Sequence, residues 1–231
     1  MNDLKRVVDR YMNRVPEVKN YCDRCLKTER WNGNVILMIV DAAFTSIGLN
    51  YFKTVVPKVN EFDKVFLKTG KIKSLEDLAS ANTDDLMKVW KNRRSWEAAK
   101  SIASRLISLK REKNLETDAH ALIEWANNAE LENWKEDLIG RIKGVGINTF
   151  QYLRMMGGVD TVMPDKIVKR VIERILKESN TQMPIQNDLA FIKTVHEIAE
   201  KTGYRAIELC WMTWLIQSKA GIKYSEILSK I

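Results

Sequence analysis

The sequence predicts an all-α protein, and three observations lead to this fold class. Apolar residues recur at the three- and four-residue spacing of a buried helix face in one segment after another. Residue types that cap helices stand directly before several of these segments. No stretch alternates polar and apolar residues for long enough to form a strand. With 231 residues, 45% of them hydrophobic, the chain can bury a core of its own.

The N-terminal half predicts helices joined by short polar loops. An amphipathic helix is expected over about 3–14, ending before Pro16. The apolar segment 35–47 is too short to cross a membrane and suits a core helix. Its one charged residue, Asp41, lies either on an exposed stripe or in the core with a partner. Four further helices are expected, beginning at the capping box of Ser74 and at Thr83 and spanning 95–109 and 117–129.

The C-terminal part contains the clearest helical periodicity, which begins directly after Asp165. We expect the Asp165 carboxylate to cap this helix by accepting an amide hydrogen near Val168. The helix dipole should then lower the pKa of Asp165 and keep it ionised. A helix over 187–201 closed by Gly203, and an apolar helix over 204–219, complete the chain.

The net charge and the cysteine content indicate which binding partners and which cellular compartment to expect. Lys and Arg outnumber Asp and Glu by 38 to 30, and the net charge of +8 is typical of proteins that bind a polyanion. No signal peptide and no membrane span are evident, so we expect a cytoplasmic protein without a membrane partner. Cys22 and Cys25 form a CxxC pair, but only Cys210, His120 and His196 remain as further ligands. We therefore predict reduced thiols and no metal site.

A tight Gly-Val-Gly turn at residues 142–146, which we call the hairpin, predicts an anion site. Gly144 and Gly146 can adopt positive φ angles, and the amides that open the next helix are left without partners inside that helix. Such amides and the helix dipole both favour a phosphate. Lys143 and Arg141 add positive charge. The alternative is an ordinary connection between two helices, with a glycine ending the first.

Together, the hairpin and the acid resemble the signature of the helix-hairpin-helix DNA glycosylase superfamily of base-excision repair. The hairpin reads Ile142-Lys143-Gly144-Val145-Gly146, and the acid stands in Asp165-Lys166-Ile167-Val168-Lys169-Arg170. The resemblance implies two helical lobes with a cleft between them. Residues 34–158, ending in the helix-hairpin-helix, would form one lobe, and 1–33 with 159–231 the other. It also implies a nucleoid-associated monomer that binds double-stranded DNA with a damaged or mispaired base.

The same resemblance assigns roles to individual residues. Asp165 would stabilise the sugar cation as the base leaves and would activate water. Lys143 and the hairpin amides from Val145 to Thr149 would hold a backbone phosphate through a monovalent cation, with no other cofactor. Asn148 stands where bifunctional members carry a Schiff-base lysine, which implies a monofunctional enzyme. The chain lacks the four-cysteine motif of the iron-sulfur branch.

The sequence gives less information about the substrate and about the residues of the base-binding pocket. The Met163-Pro164-Asp165 entry and the aromatic-rich last helix are most similar to alkylated-purine glycosylases. Alternatives are a mismatch-specific uracil or thymine glycosylase, an oxidised-guanine glycosylase, a non-catalytic helix-hairpin-helix DNA-binding module and a helical interaction protein. Phe44 is the candidate wedge that replaces the flipped base. Trp31 and Trp211 are candidates for stacking on that base, and core packing is the alternative for all three.

Overall fold

The computed structural model describes residues 3–45, 50–217 and 231, and within these ranges the chain forms twelve α-helices and no strand. The all-α prediction is confirmed. A 3-10 turn at Arg30–Gly33 precedes α3, and two π-helical turns, Tyr51–Val55 and Asp63–Leu67, flank α4. The helices are α1 Asp3–Met12, α2 Val18–Leu26, α3 Val35–Thr45, α4 Val56–Phe62, α5 Leu75–Ser80, α6 Thr83–Leu86, α7 Arg93–Glu112, α8 Asp118–Asn128, α9 Ile147–Met156, α10 Lys166–Glu178, α11 Asp188–Thr202 and α12 Ala206–Gln217.

The helices expected from periodicity and capping are present, but α2 and α4 were not predicted. Within the described residues, no side chain caps the start of α2 or of α4, so the side-chain cap signal is missing at both, although Pro57 stands in the first turn of α4. In addition, the π-helical turns beside α4 widen the backbone and disturb the 3.6-residue spacing there. Both helices nevertheless bury apolar side chains, which shows that tertiary packing stabilises them.

The helix-hairpin-helix resemblance implies a helix directly before the hairpin. This prediction is wrong, because residues 131–144 form a series of turns. The Asp137 carboxylate holds this segment, accepting the amides of Ile139 at 2.7 Å and Gly140 at 3.1 Å. The indole of Trp125 donates to the same oxygen at 2.9 Å. These bonds favour an irregular path that brings the chain back over α8 before it reaches the hairpin.

The helices pack in two groups that meet at α9. Helix α1 contacts α10, α11 and α12, and α2 packs on α12. In the other group, α7 packs against α3, α5, α6 and α8. Helix α9, which begins at the hairpin, contacts α8 and α3 of this second group and α2 of the first. The position of the hairpin therefore depends on contacts with both groups.

A buried ion pair between Arg30 and Asp41 lies where the groups meet. Both side chains are 0% exposed, and Nη2 of Arg30 lies 3.1 Å from Oδ2 of Asp41. The hydroxyls of Tyr51 and Tyr152 each donate to this carboxylate oxygen at 2.9 Å. Arg30 also donates to the hydroxyls of Tyr21, Tyr51 and Tyr152. Of the two positions expected for Asp41, the structure shows the buried one with a partner.

Each member of this network comes from a different element. Arg30 lies in the 3-10 turn, Asp41 in α3, Tyr51 in the π-helical turn before α4, and Tyr152 in α9. Burial raises the pKa of Tyr152 well above its ordinary value even though the positive charge of Arg30 opposes this shift, so the phenol stays neutral and can donate. The network therefore fixes α9 against α3 through hydrogen bonds that water cannot replace.

We predict that Asp41→Ala lowers the free energy of unfolding by about 3–5 kcal/mol, because it leaves the guanidinium of Arg30 buried without a counter-charge. Urea titration should show a lower midpoint at an unchanged slope. The control is Glu61→Ala, which breaks the pair with Lys58, where the two side chains are 43% and 38% exposed. That change should cost about 1 kcal/mol or less. An equally small loss for both variants would contradict a structural role for the network.

Candidate functional site

The hairpin borders a cavity of about 360 Å³, which we call the hairpin cavity. It is lined by residues 144–149 and by three residues at the start of α7, Asn92, Arg94 and Ser95. Gly144 has a φ of +101°, so a side chain at this position would be strained. Gly146 has a φ of −105° and is the N-cap of α9. Only the first of the two glycines therefore uses the positive φ that was expected for both.

Two helix N-termini meet in the hairpin cavity. Helix α9 begins at Ile147, and α7 begins after Asn92, whose side chain accepts the amide of Ser95 at 3.1 Å. Both dipoles direct their positive ends towards this region, and no side-chain oxygen caps α9. The first amides of α9 therefore remain available to an anion. The sequence contained the cap signal at Asn92, but it did not show that α7 begins beside the hairpin.

Arg94 adds a positive charge to the cavity. Its side chain is exposed, and it forms no ion pair with any residue that the structure describes. A side-chain carbon on Gly144 would lie 3.4 Å from Cγ of Arg94, so the glycine leaves space for the arginine to lie along the hairpin. Sequence reasoning missed Arg94, because the contact joins segments about fifty residues apart.

Three buried polar atoms of cavity-lining residues have no hydrogen-bond partner in the described part of the chain: Oγ of Ser95, Oδ1 of Asn148 and Oγ1 of Thr149. Ser95 and Thr149 are only 3% and 2% exposed. A buried polar group without a partner typically costs about 1–3 kcal/mol. Ser95, Asn148 and Thr149 give the cavity a polar lining. Lys143 is exposed and lines a neighbouring groove instead.

Asp165 is the N-cap of α10, as predicted. One carboxylate oxygen accepts the amides of Ile167 at 2.7 Å and Val168 at 2.9 Å. The other accepts the indole N–H of Trp214 at 2.7 Å. Burial raises the pKa of Asp165 above its ordinary value, although these hydrogen bonds and the nearby charge of Lys169 oppose the rise. The expected lowering by the helix terminus is therefore wrong, because desolvation outweighs it.

An aromatic cluster extends from Asp165 towards the buried network. Trp214 lies 6.4 Å from Trp211 between ring centroids, and 5.9 Å from Tyr51. Trp211 is 1% exposed and packs edge-on against Tyr21 at 4.5 Å. The candidate Trp211 is thus one ring away from the acid, and Trp214 is the residue in contact. The three-residue spacing of the two tryptophans on α12 was the signal for Trp214.

The other two aromatic candidates lie in the core. Phe44 is fully buried, stacks on Trp90 at 4.4 Å and packs edge-on against Trp96 at 4.9 Å. It belongs to α3 itself, and residues 46–49, which follow that helix, lie outside the described residues. Trp31 is 4% exposed, and its indole donates to Asp41 at 2.8 Å. Phe44 and Trp31 are therefore core residues, and neither side chain can reach DNA in this conformation.

Comparison with known sequences assigns the chain to a family. The profile of the family described as "Domain of unknown function (DUF8548)" matches residues 9–218, which include the hairpin, Asp165 and Trp214. The chain belongs to the DUF8548 family. No curated protein and no solved structure matched it. The geometry of this DUF8548 domain is therefore the basis for its functional assignment.

The cysteines of this DUF8548 domain are buried free thiols. Burial raises the pKa of Cys25 to about 12 and that of Cys22 well above its ordinary value. Both thiols therefore stay protonated at neutral pH. No group of three or more metal-ligating side chains occurs among the residues that the structure describes. Within the same residues, no helix is long and apolar enough to span a membrane.

The raised pKa of Asp165 predicts a pH dependence of stability with a definite sign. Between the ordinary aspartate value of 3.8 and the raised value, the folded state holds more protons than the unfolded state. The stability of the wild type relative to Asp165→Asn should therefore fall as pH rises through this window and then level off. Urea unfolding at a series of pH values measures this difference.

Asp77→Asn is the matched control, because Asp77 also accepts amides at a helix start but has a lowered pKa, chiefly through its hydrogen bond to the Lys73 amide. Its contribution should rise with pH through the region below 3.8 and then level off. If the difference between wild type and Asp165→Asn rose with pH in the same way, the desolvation of Asp165 would be disproved.

Proposed function

We propose that this DUF8548 domain is a monofunctional DNA glycosylase. It would bind double-stranded DNA at the hairpin cavity and use Asp165 to release a damaged base from its sugar. The two packed groups of helices would be the two lobes, formed by residues 34–158 and by 1–33 with 159–231. The damaged nucleotide would enter a cleft between them. The resemblance of the hairpin and the acid to the glycosylase signature suggested this function, and the site geometry supports it.

The hairpin cavity is the observation that carries the proposal. It combines the uncapped amides of α9, the N-terminus of α7, the charge of Arg94 and buried hydroxyls. Among residues 3–45, 50–217 and 231, neither Arg94 nor these hydroxyls have a side-chain partner. Backbone amides and helix dipoles recognise a phosphate without reading a base. A net charge of +8 would strengthen the attraction to DNA. The cavity therefore fits the backbone of a nucleic acid, with room for a monovalent cation beside the phosphate.

Asp165 would carry the chemistry. Its carboxylate is held in one orientation by two amides, which donate to one oxygen, and by an indole, which donates to the other. The oxygen that accepts only the indole keeps a free lone pair. When the bond between sugar and base breaks, the base leaves with the bonding electrons and the sugar becomes cationic. The ionised carboxylate would stabilise that charge and take a proton from the attacking water. Its raised pKa makes it a stronger base for this step.

The nucleophile would be water. Asn148 is half-buried, lines the hairpin cavity and has no amine to form a Schiff base. Lys143 points away from this cavity into the neighbouring groove. An alkylated purine is the favoured substrate, because such bases are electron-poor and often cationic, and the indole of Trp214 stands beside the acid. A mismatched uracil or thymine, or an oxidised guanine, is the alternative.

A second candidate is a DNA-binding module without activity. The three hydrogen bonds to Asp165 satisfy it as a helix cap, and this structural role accounts for an aspartate here without any chemistry. The hairpin cavity would serve such a module equally well. The two candidates differ only in whether the carboxylate acts on a bound nucleotide.

We predict that Asp165→Asn reduces base release at least about a hundredfold, because the amide can neither balance the sugar cation nor accept the proton of water. Single-turnover assays should use duplexes containing methylated purines, uracil, thymine opposite guanine or oxidised guanine. Binding to the same duplexes should change by no more than about twofold, since Asn still caps α10.

The control is Asp77→Asn, which alters a helix-start carboxylate in α5 and should leave base release unchanged. Equal turnover by wild type and Asp165→Asn would contradict the catalytic role. DNA binding without base release from any duplex would favour the non-catalytic module.

We predict that Gly146→Leu weakens DNA binding about 10- to 100-fold, the effect of losing charged hydrogen bonds worth about 1.5–3 kcal/mol. A Cβ at Gly146 would meet no atom within 4 Å apart from its chain neighbours, so a leucine can enter the cavity here and occupy the phosphate position. Fluorescence anisotropy at fixed salt measures the dissociation constant, and urea unfolding checks that the variant is folded. An unchanged dissociation constant would exclude the hairpin as the phosphate site.

A further inference from the structure

A second concave surface of about 400 Å³ lies beside the hairpin cavity. We call it the α7 groove. One wall is formed by Ser101, Ser104, Arg105 and Ser108 of α7, and the other by Arg141 and the first two residues of the hairpin, Ile142 and Lys143. The groove and the hairpin cavity therefore share both of their walls, α7 on one side and the chain from 141 to 149 on the other.

Three cations line the α7 groove, and none of them has an acidic partner among the residues that the structure describes. The side chains of Arg105, Arg141 and Lys143 are exposed, and none of these side chains forms an ion pair or hydrogen bond in the described part of the chain. Other cations of α7 are paired in contrast, Lys110 with Asp118 at 2.8 Å and Arg111 with Glu76 at 3.5 Å. Positive charge is thus neutralised towards the end of α7 but left uncompensated in the groove.

The positions on α7 align the groove with the hairpin cavity. Arg94 and Arg105 are eleven residues apart, which places them on the same helix face about three turns and ~16 Å from each other. Ala98 and Ser101 lie between them on that face. A side-chain carbon on Gly144 would lie 3.4 Å from Cβ of Ala98, so small residues allow the hairpin segment to run close along α7. The exposed charges therefore form one row.

Ser101 is the groove hydroxyl that remains available for a ligand. Ser104 donates to the carbonyl of Lys100 at 3.0 Å, and Ser108 donates to that of Ser104 at 3.0 Å. No such bond occupies Ser101 in the described part of the chain. The groove can thus offer a neutral donor together with three charges, which is a donor set suited to phosphate oxygens.

We propose that the α7 groove binds a second backbone phosphate of the same DNA strand. Phosphates of one strand recur at a regular interval of about 3.4 Å along the helix axis. Two anion sites ~16 Å apart on one helix face can therefore contact two different phosphates of the same strand. The inference rests on the proposed DNA binding, but not on base release. Two aligned anion sites match a polyanion with a regular repeat, whereas a free phosphate ion would fill only one of them.

The test compares two double variants that lose the same net charge. Arg105→Ala/Lys143→Ala removes two cations of the groove, and Lys19→Ala/Lys177→Ala removes two exposed lysines of α2 and α10. Fluorescence anisotropy with an undamaged duplex over a range of salt concentrations gives the slope of log affinity against log salt. The groove variant should reduce the magnitude of that slope by about 0.9 for the lost phosphate contact and bind more weakly, while the control keeps the wild-type slope.

Equal slopes for both double variants would overturn the proposal, since only the total charge would then matter. Titration with inorganic phosphate distinguishes a small-anion site. Phosphate binding that depends on Arg105 and Lys143, together with an unchanged DNA slope, would also overturn it. The undamaged duplex separates this test from the proposed activity. If the groove variant changes the slope but the wild-type chain releases no base, the groove proposal stands and the glycosylase proposal fails. If the chain releases base but the slope is unchanged, the glycosylase proposal stands and the groove proposal fails.

Discussion

The buried pair of Arg30 and Asp41 is the interaction on which the arrangement of the candidate site depends. Removing two charges from water is unfavourable, and three tyrosine hydroxyls and the Trp31 indole compensate by hydrogen bonding to the pair. Through Tyr152, the pair fixes α9 and therefore the hairpin at its N-terminus. The same tyrosines contact the aromatic cluster that ends at Trp214 and Asp165. One network thus sets the positions of both the hairpin and the acid.

The hairpin cavity and Asp165 both lie at helix N-termini, which have two different roles in this structure. Asp165 caps the N-terminus of α10, and this fixes its carboxylate in a partly desolvated environment. Within the described ranges, no side chain caps the N-terminus of α9, and neighbouring buried hydroxyls have no hydrogen-bond partner. A capped terminus can hold a reacting group, and an uncapped one can hold a ligand. The row of unpaired cations along α7 would extend the second use from one phosphate to a stretch of strand.

Much of the fold could be predicted because its signals are local. Periodicity and capping identified α10 and its cap at Asp165, and Gly203 has the left-handed conformation expected at the end of α11. Turns 131–144 could not be predicted, because the indole of Trp125 from α8 helps to hold them. The pKa direction at Asp165 was wrong for a similar reason, since burial beneath α12 is a tertiary effect. Hairpin and acid were recognisable as motifs, while Arg94 and Trp214 required the packed structure.

The proposed function joins a phosphate site to a carboxylate that releases a base and leaves the strand intact. The most direct test is a single-turnover assay of the wild-type chain on a methylated-purine duplex, in which free base is measured by mass spectrometry and strand integrity by electrophoresis before alkali treatment. We predict that the base is released, that the strand stays uncut and that no covalent adduct forms after borohydride reduction. Absence of free base from this duplex and from its uracil, thymine and oxidised-guanine counterparts would contradict it.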